Sequence, residues 1–164
     1  MERLLRIYVE TSVFGFAISE KPEHQDKHAY SVKLLDAIQA GKYEGYISNT
    51  TLAELSAAPD PDLRSKLLAL ANNPSLHRLD IGAETGALAA ILIGKGIVPA
   101  AKGTDATHLA VMALYPYLDV LASWNYKHLV NVNVKRMLVP LLLSEGYRIG
   151  FEISSPEEVV RTDE

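Results

Sequence analysis

Four short polar signatures close hydrophobic runs in this chain: Glu10-Thr11-Ser12, Thr51-Leu52-Ala53-Glu54, Gly103-Thr104-Asp105-Ala106 and Ser123-Trp124-Asn125. Three of the four supply a carboxylate, and each follows a β-like or apolar stretch and opens or joins a helix-like one. In an open α/β sheet the carboxyl ends of the strands gather along one edge, so residues remote in sequence meet in one crevice. Carboxylates gathered there repel one another unless a cation joins them. The pattern points to a divalent metal site built from oxygen ligands, the kind that Mg²⁺ or Mn²⁺ prefers.

Each position also has a plainer explanation. Thr51 to Glu54 is spelled like a capping box, in which Glu54 reaches back to an unpaired backbone N–H. Asp105 suits a helix cap or the positive end of a helix dipole, and Glu10 does too. Asn125 after a strand is a common turn residue. Capping explains an acid at one helix start, but does not require one after the first strand, after the second and again before the fourth. A carboxylate ending a buried first strand is costly unless something compensates it. His108 lies three residues after Asp105 on the same helical face, and reads as a core histidine before a catalytic one, with orientation of a neighbouring acid as the role between them. Lys127 and His128 follow Asn125, where they touch phosphates at the rim of a site or sit in a solvated turn. Trp124 reads as core packing before base stacking.

Periodicity supplies the elements that must position these groups. Strands are expected at residues 3–9, 43–48, 77–80, 118–122 and 149–153. Helices are expected at 12–19, 28–40, 51–57, 62–71, 83–93, 105–114 and 134–145. Pro140 should kink or interrupt the last of these, Pro22 should close the first, and Ser155-Pro156-Glu157-Glu158 should open a short terminal helix with its own capping box. Strands alternating with helices predict an α/β fold, a parallel sheet covered on both faces. No linker, repeat or low-complexity tract divides the chain, so one domain is expected over residues 1–164.

Bulk composition narrows the function classes. A chain of 164 residues with 48% apolar and 22% charged residues has the balance of a globular domain, not a disordered one. The absence of cysteine excludes disulfides, zinc–thiolate sites and cysteine nucleophiles, and suits a reducing cytoplasm. The first residues are too charged for a signal peptide, and no apolar run approaches the roughly 20 residues that span a bilayer. A soluble cytoplasmic protein with no membrane partner is expected. The net charge of −4 argues against a diffuse basic surface for nucleic acid, although cations bound to an acid cluster reverse the sign locally. Gly94-Lys95-Gly96 is not a phosphate loop, because the upstream glycine is missing and no Ser or Thr follows the lysine.

Glu10-Thr-Ser-Val-Phe14, Glu54 at the head of a helix, Lys102-Gly-Thr-Asp105-Ala-Thr-His-Leu-Ala110 and Ser123-Trp-Asn-Tyr-Lys-His-Leu-Val-Asn131 together resemble the PIN-domain family. The resemblance runs in order over nearly the whole chain, and the Trp-Asn-x-Lys-His stretch is similar to one bacterial branch. It implies a three-layer PIN-like fold and a metal-dependent endoribonuclease that cuts single-stranded or structured RNA, leaving a 5′-phosphate. Many such proteins are VapC-like toxins of type II toxin–antitoxin pairs. By the same resemblance Glu10, Glu54 and Asp105 hold Mg²⁺ or Mn²⁺, and Asn125 occupies the fourth acidic position. Ser12, with Thr11 beside it, supplies the small hydroxyl after the first acid. The implied partners are RNA, an antitoxin whose C-terminal segment covers the acids, and a second copy in a homodimer.

Two departures stand out. Glu10 replaces the family's usual aspartate and is one methylene longer, while magnesium holds its ligands within narrow limits. Asn125 brings an amide and no charge. Both motivate an alternative, a catalytically weak or inactive PIN module that binds RNA or a protein. A phosphatase or phosphoacceptor domain fits less well, because such chemistry needs an aspartate nucleophile after the first strand.

Overall fold

A computed structural model describes residues 2–161. Five strands form one sheet: β1 Arg6–Val9, β2 Glu44–Ser48, β3 Leu76–Leu79, β4 Val120–Ala122 and β5 Glu152–Ser154. All neighbours are parallel and the order is β3-β2-β1-β4-β5. The helices are α1 Thr11–Ala17, α2 Gln25–Gln39, α3 Asn49–Ser56, α4 Pro61–Ala71, α5 Ala83–Gly94, α6 Gly103–Leu114, α7 Val132–Ser144 and α8 Pro156–Arg161.

Parallel strands need crossover helices, and these cover both faces of the sheet. The alternation along β1 shows the division. Ile7 and Val9 join Leu34, Leu67 and Val159 from α2, α4 and α8 in one core, whereas Tyr8 joins Leu88, Leu109 and Leu138 from α5, α6 and α7 in the other. The expected α/β architecture, with helices on both faces of a central parallel sheet, is the one observed. Gly45 in β2 lies so close to α2 that a Cβ there would come within 2.7 Å of Ile38 Cγ2.

The chain leaves β1 toward β2 and β3, then returns to the other side of β1 with β4. That reversal between β1 and β4 is a topological switch point, where the carboxyl ends of neighbouring strands open a crevice. Glu10 follows β1 directly and Asn125 follows β4 by three residues. Among the described residues no helix is long and apolar enough to cross a membrane.

Several element boundaries differ from expectation for physical reasons. β1 begins at Arg6, not residue 3, because its pairing with β2 starts at Arg6 and with β4 at Ile7, which leaves Leu4 and Leu5 substantially exposed. Pro22 does not close a helix. It starts a 3-10 turn, Pro22–His24, that leads into α2 three residues before the predicted start. α7 runs through Pro140 without a break.

The capping box of α3 is also displaced. Ser48 is the cap, accepting from the Thr51 N–H, and Thr51 answers the Ser48 N–H. Glu54 therefore has no capping duty, and its carboxylate is available for other partners. The terminal helix keeps its expected start, with the Glu158 N–H donating to Ser155 Oγ at 3.2 Å.

Candidate active site

A crevice of about 490 Å³ opens at the switch point. Its walls include Glu10, Glu54 and Asp105, with Thr11, Ser12, Thr104 and Asn125 between them and Lys102, Lys127 and His128 beside them. Four segments distant in sequence thus converge as the strand order requires.

Glu10 caps α1, and its side chain accepts from the Ser12 N–H at 3.0 Å. The Ser12 hydroxyl donates to the other carboxylate oxygen at 2.6 Å, and the Ser123 hydroxyl donates to that same oxygen. Glu10 is 5% exposed, so these donors supply the compensation that an acid at the end of a buried strand needs. Capping and site membership coincide here.

Glu54 is held differently. Its Oε1 accepts from Thr11 Oγ1 at 2.8 Å and from His108 Nε2 at 2.6 Å. Burial by itself raises the Glu54 carboxyl, and the hydrogen bond and charge of His108, together with hydrogen bonds from Thr11 and Thr104, more than reverse this, leaving it below the ordinary glutamate value. His108 is wholly buried, which alone would lower its pKa. Contact with the Tyr8 oxygen, the Glu54 hydrogen bond and the charges of Glu10 and Glu54 outweigh burial and push it up to about 10. His108 Nε2 carries the proton that Glu54 accepts, and its Nδ1 lies 2.8 Å from Tyr8 Oη.

Asp105 occupies the first turn of α6 without acting as its cap. Burial raises its carboxyl above the ordinary aspartate value and the Glu10 charge adds to this, while the Asn125 side chain donates a hydrogen bond that opposes the shift. Asn125 serves two ends. Its amide nitrogen faces Asp105, and its Oδ1 accepts the His128 N–H at 3.0 Å within its own turn.

The donor set is all oxygen, and the charges of Glu10 and Asp105 act on each other. A hard divalent ion relieves that repulsion. Among the described residues no group of three or more His, Asp or Glu side chains forms a ready-made metal cage. The residues fit the looser type of site that magnesium uses, one or two carboxylates with water and substrate phosphate completing the shell.

The periphery fits this division of roles. Lys102 and Lys127 are exposed beside the acids, where their charge is available to phosphate. Trp124 is core, 5% exposed, its indole N–H donating to buried Ser31 Oγ at 2.8 Å. A larger groove of about 770 Å³ leaves Ser12 between α1 and α4, past Phe16 and Leu63, but none of the three acids lines it.

Some residues of the site carried little signal in sequence. Tyr8 was visible only as an apolar strand residue, although a tyrosine in a strand buried on both faces must find a partner for its hydroxyl. Ser123 sits two residues before Asn125 in a motif whose interest seemed to lie in the asparagine. Thr104 donates to Glu54 from a helix start where threonine is ordinary.

No family model matches the chain, and no curated protein matches it. Among solved structures it is similar to VapC20 of Mycobacterium tuberculosis, described as a toxin that cleaves the sarcin-ricin loop. The TM-score is 0.54 with 18% identity, covering 70% of this chain and 86% of that one. The likeness is one of fold, and it agrees with the PIN-like arrangement of sheet and helices.

Proposed function

We propose that this protein is a metal-dependent endoribonuclease, acting as the toxin of a toxin–antitoxin pair. The observation that carries this is the gathering of Glu10, Glu54 and Asp105 around one crevice at the switch point, with lysines beside it. The activity described for the structural neighbour, cleavage of the sarcin-ricin loop, supports the same reading.

Mg²⁺ or Mn²⁺ would be held by Glu10, Glu54 and Asp105. When bound, the ion supplies Lewis acidity toward water and positive charge against a phosphodiester. The chain's own residues do the rest. Lys102, Lys127 and His128 draw the phosphate backbone toward the acids. Ser12 and Ser123 fix the carboxylate of Glu10, and Asn125 orients that of Asp105. His128 gains its place from the turn that Asn125 closes. An antitoxin segment that covers these acids and a homodimer belong to the same proposal, as does a cytoplasmic location.

A second reading has one observation in its favour. Since the acids form no ready-made cage, a weak or inactive module that grips RNA or a protein would also use this crevice. One experiment separates the two. Purified protein is incubated with single-stranded and structured RNAs in Mn²⁺, beside Glu54→Ala and Asp105→Ala. Cleavage by the wild-type chain that both substitutions abolish is the expected result. No cleavage of any RNA, together with no Mn²⁺-dependent rise in Tm, would leave only the binding module.

A further inference from the structure

We propose that His108 is a positioning residue for Glu54: braced from behind by Tyr8, it holds one oxygen of that carboxylate so that the acid wall of the crevice keeps its shape. The inference rests on the nuclease function proposed above and assigns a part to residues that do not line the crevice.

Four side chains form one continuous string. Ser48 Oγ lies 2.7 Å from Tyr8 Oη, Tyr8 Oη lies 2.8 Å from His108 Nδ1, and His108 Nε2 donates to Glu54 Oε1 at 2.6 Å. Tyr8, Ser48 and His108 are each fully buried. The string passes from the end of β2 through β1 and α6 to α3. Glu10 follows β1, Asp105 stands in α6 and Glu54 stands in α3, so every element that carries or precedes an acid is tied to the others by these bonds. His108 sits one helical turn behind Asp105, which makes the same helix responsible for one acid and for the brace of another.

Stability does not explain the arrangement. A polar side chain held in the interior by hydrogen bonds generally does little better for stability than apolar side chains of similar volume. The His108 ring meets polar partners at both nitrogens, Tyr8 Oη and Glu54 Oε1. Positional control is what a polar string adds. Both the His108 bond and the Thr11 bond fall on Oε1, so they fix the head group at that oxygen. Partners of this kind behind metal-binding groups typically govern affinity or activity by about 10- to 100-fold.

The test uses three variants of the full chain, with Mn²⁺ and an RNA that the wild type cleaves. Tyr8→Phe removes a single oxygen and should lower kcat about tenfold while leaving KM for RNA nearly unchanged. His108→Met removes the donor and should lower kcat about 100-fold and raise the Mn²⁺ concentration needed for half-maximal rate. His108→Gln retains an N–H to offer Glu54 and should recover most of the loss seen with methionine. A merely structural histidine predicts something else, with rate following Tm and glutamine no better than methionine. That outcome, or wild-type kcat in both Tyr8→Phe and His108→Met, overturns the proposal while leaving the nuclease function intact. If His108→Met fails to fold, Tyr8→Phe decides by the same criterion. A wild-type chain that cleaves no RNA overturns both proposals together.

Discussion

The backbone N–H of Trp124 donates to the hydroxyl of Ser12 at 2.9 Å, joining residues 112 positions apart. That hydroxyl in turn donates to Glu10 at 2.6 Å. The loop after β4 and the first turn of α1 therefore share one oxygen, and the first acid of the crevice hangs from it.

Ser12→Ala breaks both links and leaves the Trp124 N–H without its acceptor. The expected cost is about 1–2 kcal/mol of stability and about a tenfold drop in cleavage rate. Ser12→Thr should restore most of each. Urea unfolding and an RNA cleavage assay check the pair, and a Ser12→Ala protein unchanged in both would show the shared hydroxyl to be idle.

Asp105 and Glu54 should respond in opposite directions to loss of charge. Burial and the Glu10 charge both disfavour the ionised Asp105 carboxylate, so Asp105→Asn should raise the metal-free Tm by about 2–4 °C while abolishing cleavage. This is the usual conflict between stability and a charged active site. Glu54→Gln strands the buried charge of His108 and should cost about 2 kcal/mol or more. Thermal melts of the two variants without metal check the sign of each, and a fall in Tm for Asp105→Asn would contradict the electrostatic account.

Asp119 governs the response to acid at the other end of the sheet. Its carboxylate accepts from both terminal nitrogens of Arg3, at 2.6 and 2.8 Å, and from the Arg6 N–H at 2.8 Å. The Arg3 hydrogen bond lowers its pKa below the ordinary 3.8, against the effect of burial. A carboxyl whose folded value is depressed stabilises the fold above the unfolded value and loses that contribution as pH falls through the folded one. Asp119→Asn should therefore be about 1 kcal/mol less stable than wild type at pH 7, with the gap closing below pH 3.8. Denaturant titrations at neutral and strongly acidic pH measure it, and a gap that persists unchanged in acid would exclude Asp119 as its source.

Pro140 lies inside α7 and is exposed. It removes one helical hydrogen bond and crowds the preceding turn, so Pro140→Ala should stabilise the protein by about 1–3 kcal/mol. Urea midpoints compare the two proteins. A destabilised alanine variant would mean that the proline sets a bend on which the packing of Leu138 and Leu142 depends.

Much of the fold was legible because its cause is local. The buried run Ile7-Tyr8-Val9, the apolar spacing of the helices and the terminal Ser155-Pro156 start all report how single segments meet solvent, and each produced the element expected. Boundaries slipped where pairing or capping had to choose between neighbours. Leu4 and Leu5 have strand-like character, but the ladder reaches them only through the Glu44 N–H donating to the Leu5 carbonyl at 3.0 Å. Ser48 took the cap that Thr51 was expected to hold, because β2 ends at that serine and places its hydroxyl over the first turn of α3.

By itself the sequence determined which residue types stood at the strand ends, and so that several acids would share an edge. It did not determine what each acid would touch. Glu54 resembled a cap in its own segment and became the partner of His108, 54 positions away, while Tyr8 resembled plain core and became the brace behind that histidine. Periodicity and capping are properties of a few consecutive residues. The partner of a buried carboxylate is set by distances between packed elements, which only the closed sheet and its two helical layers decide.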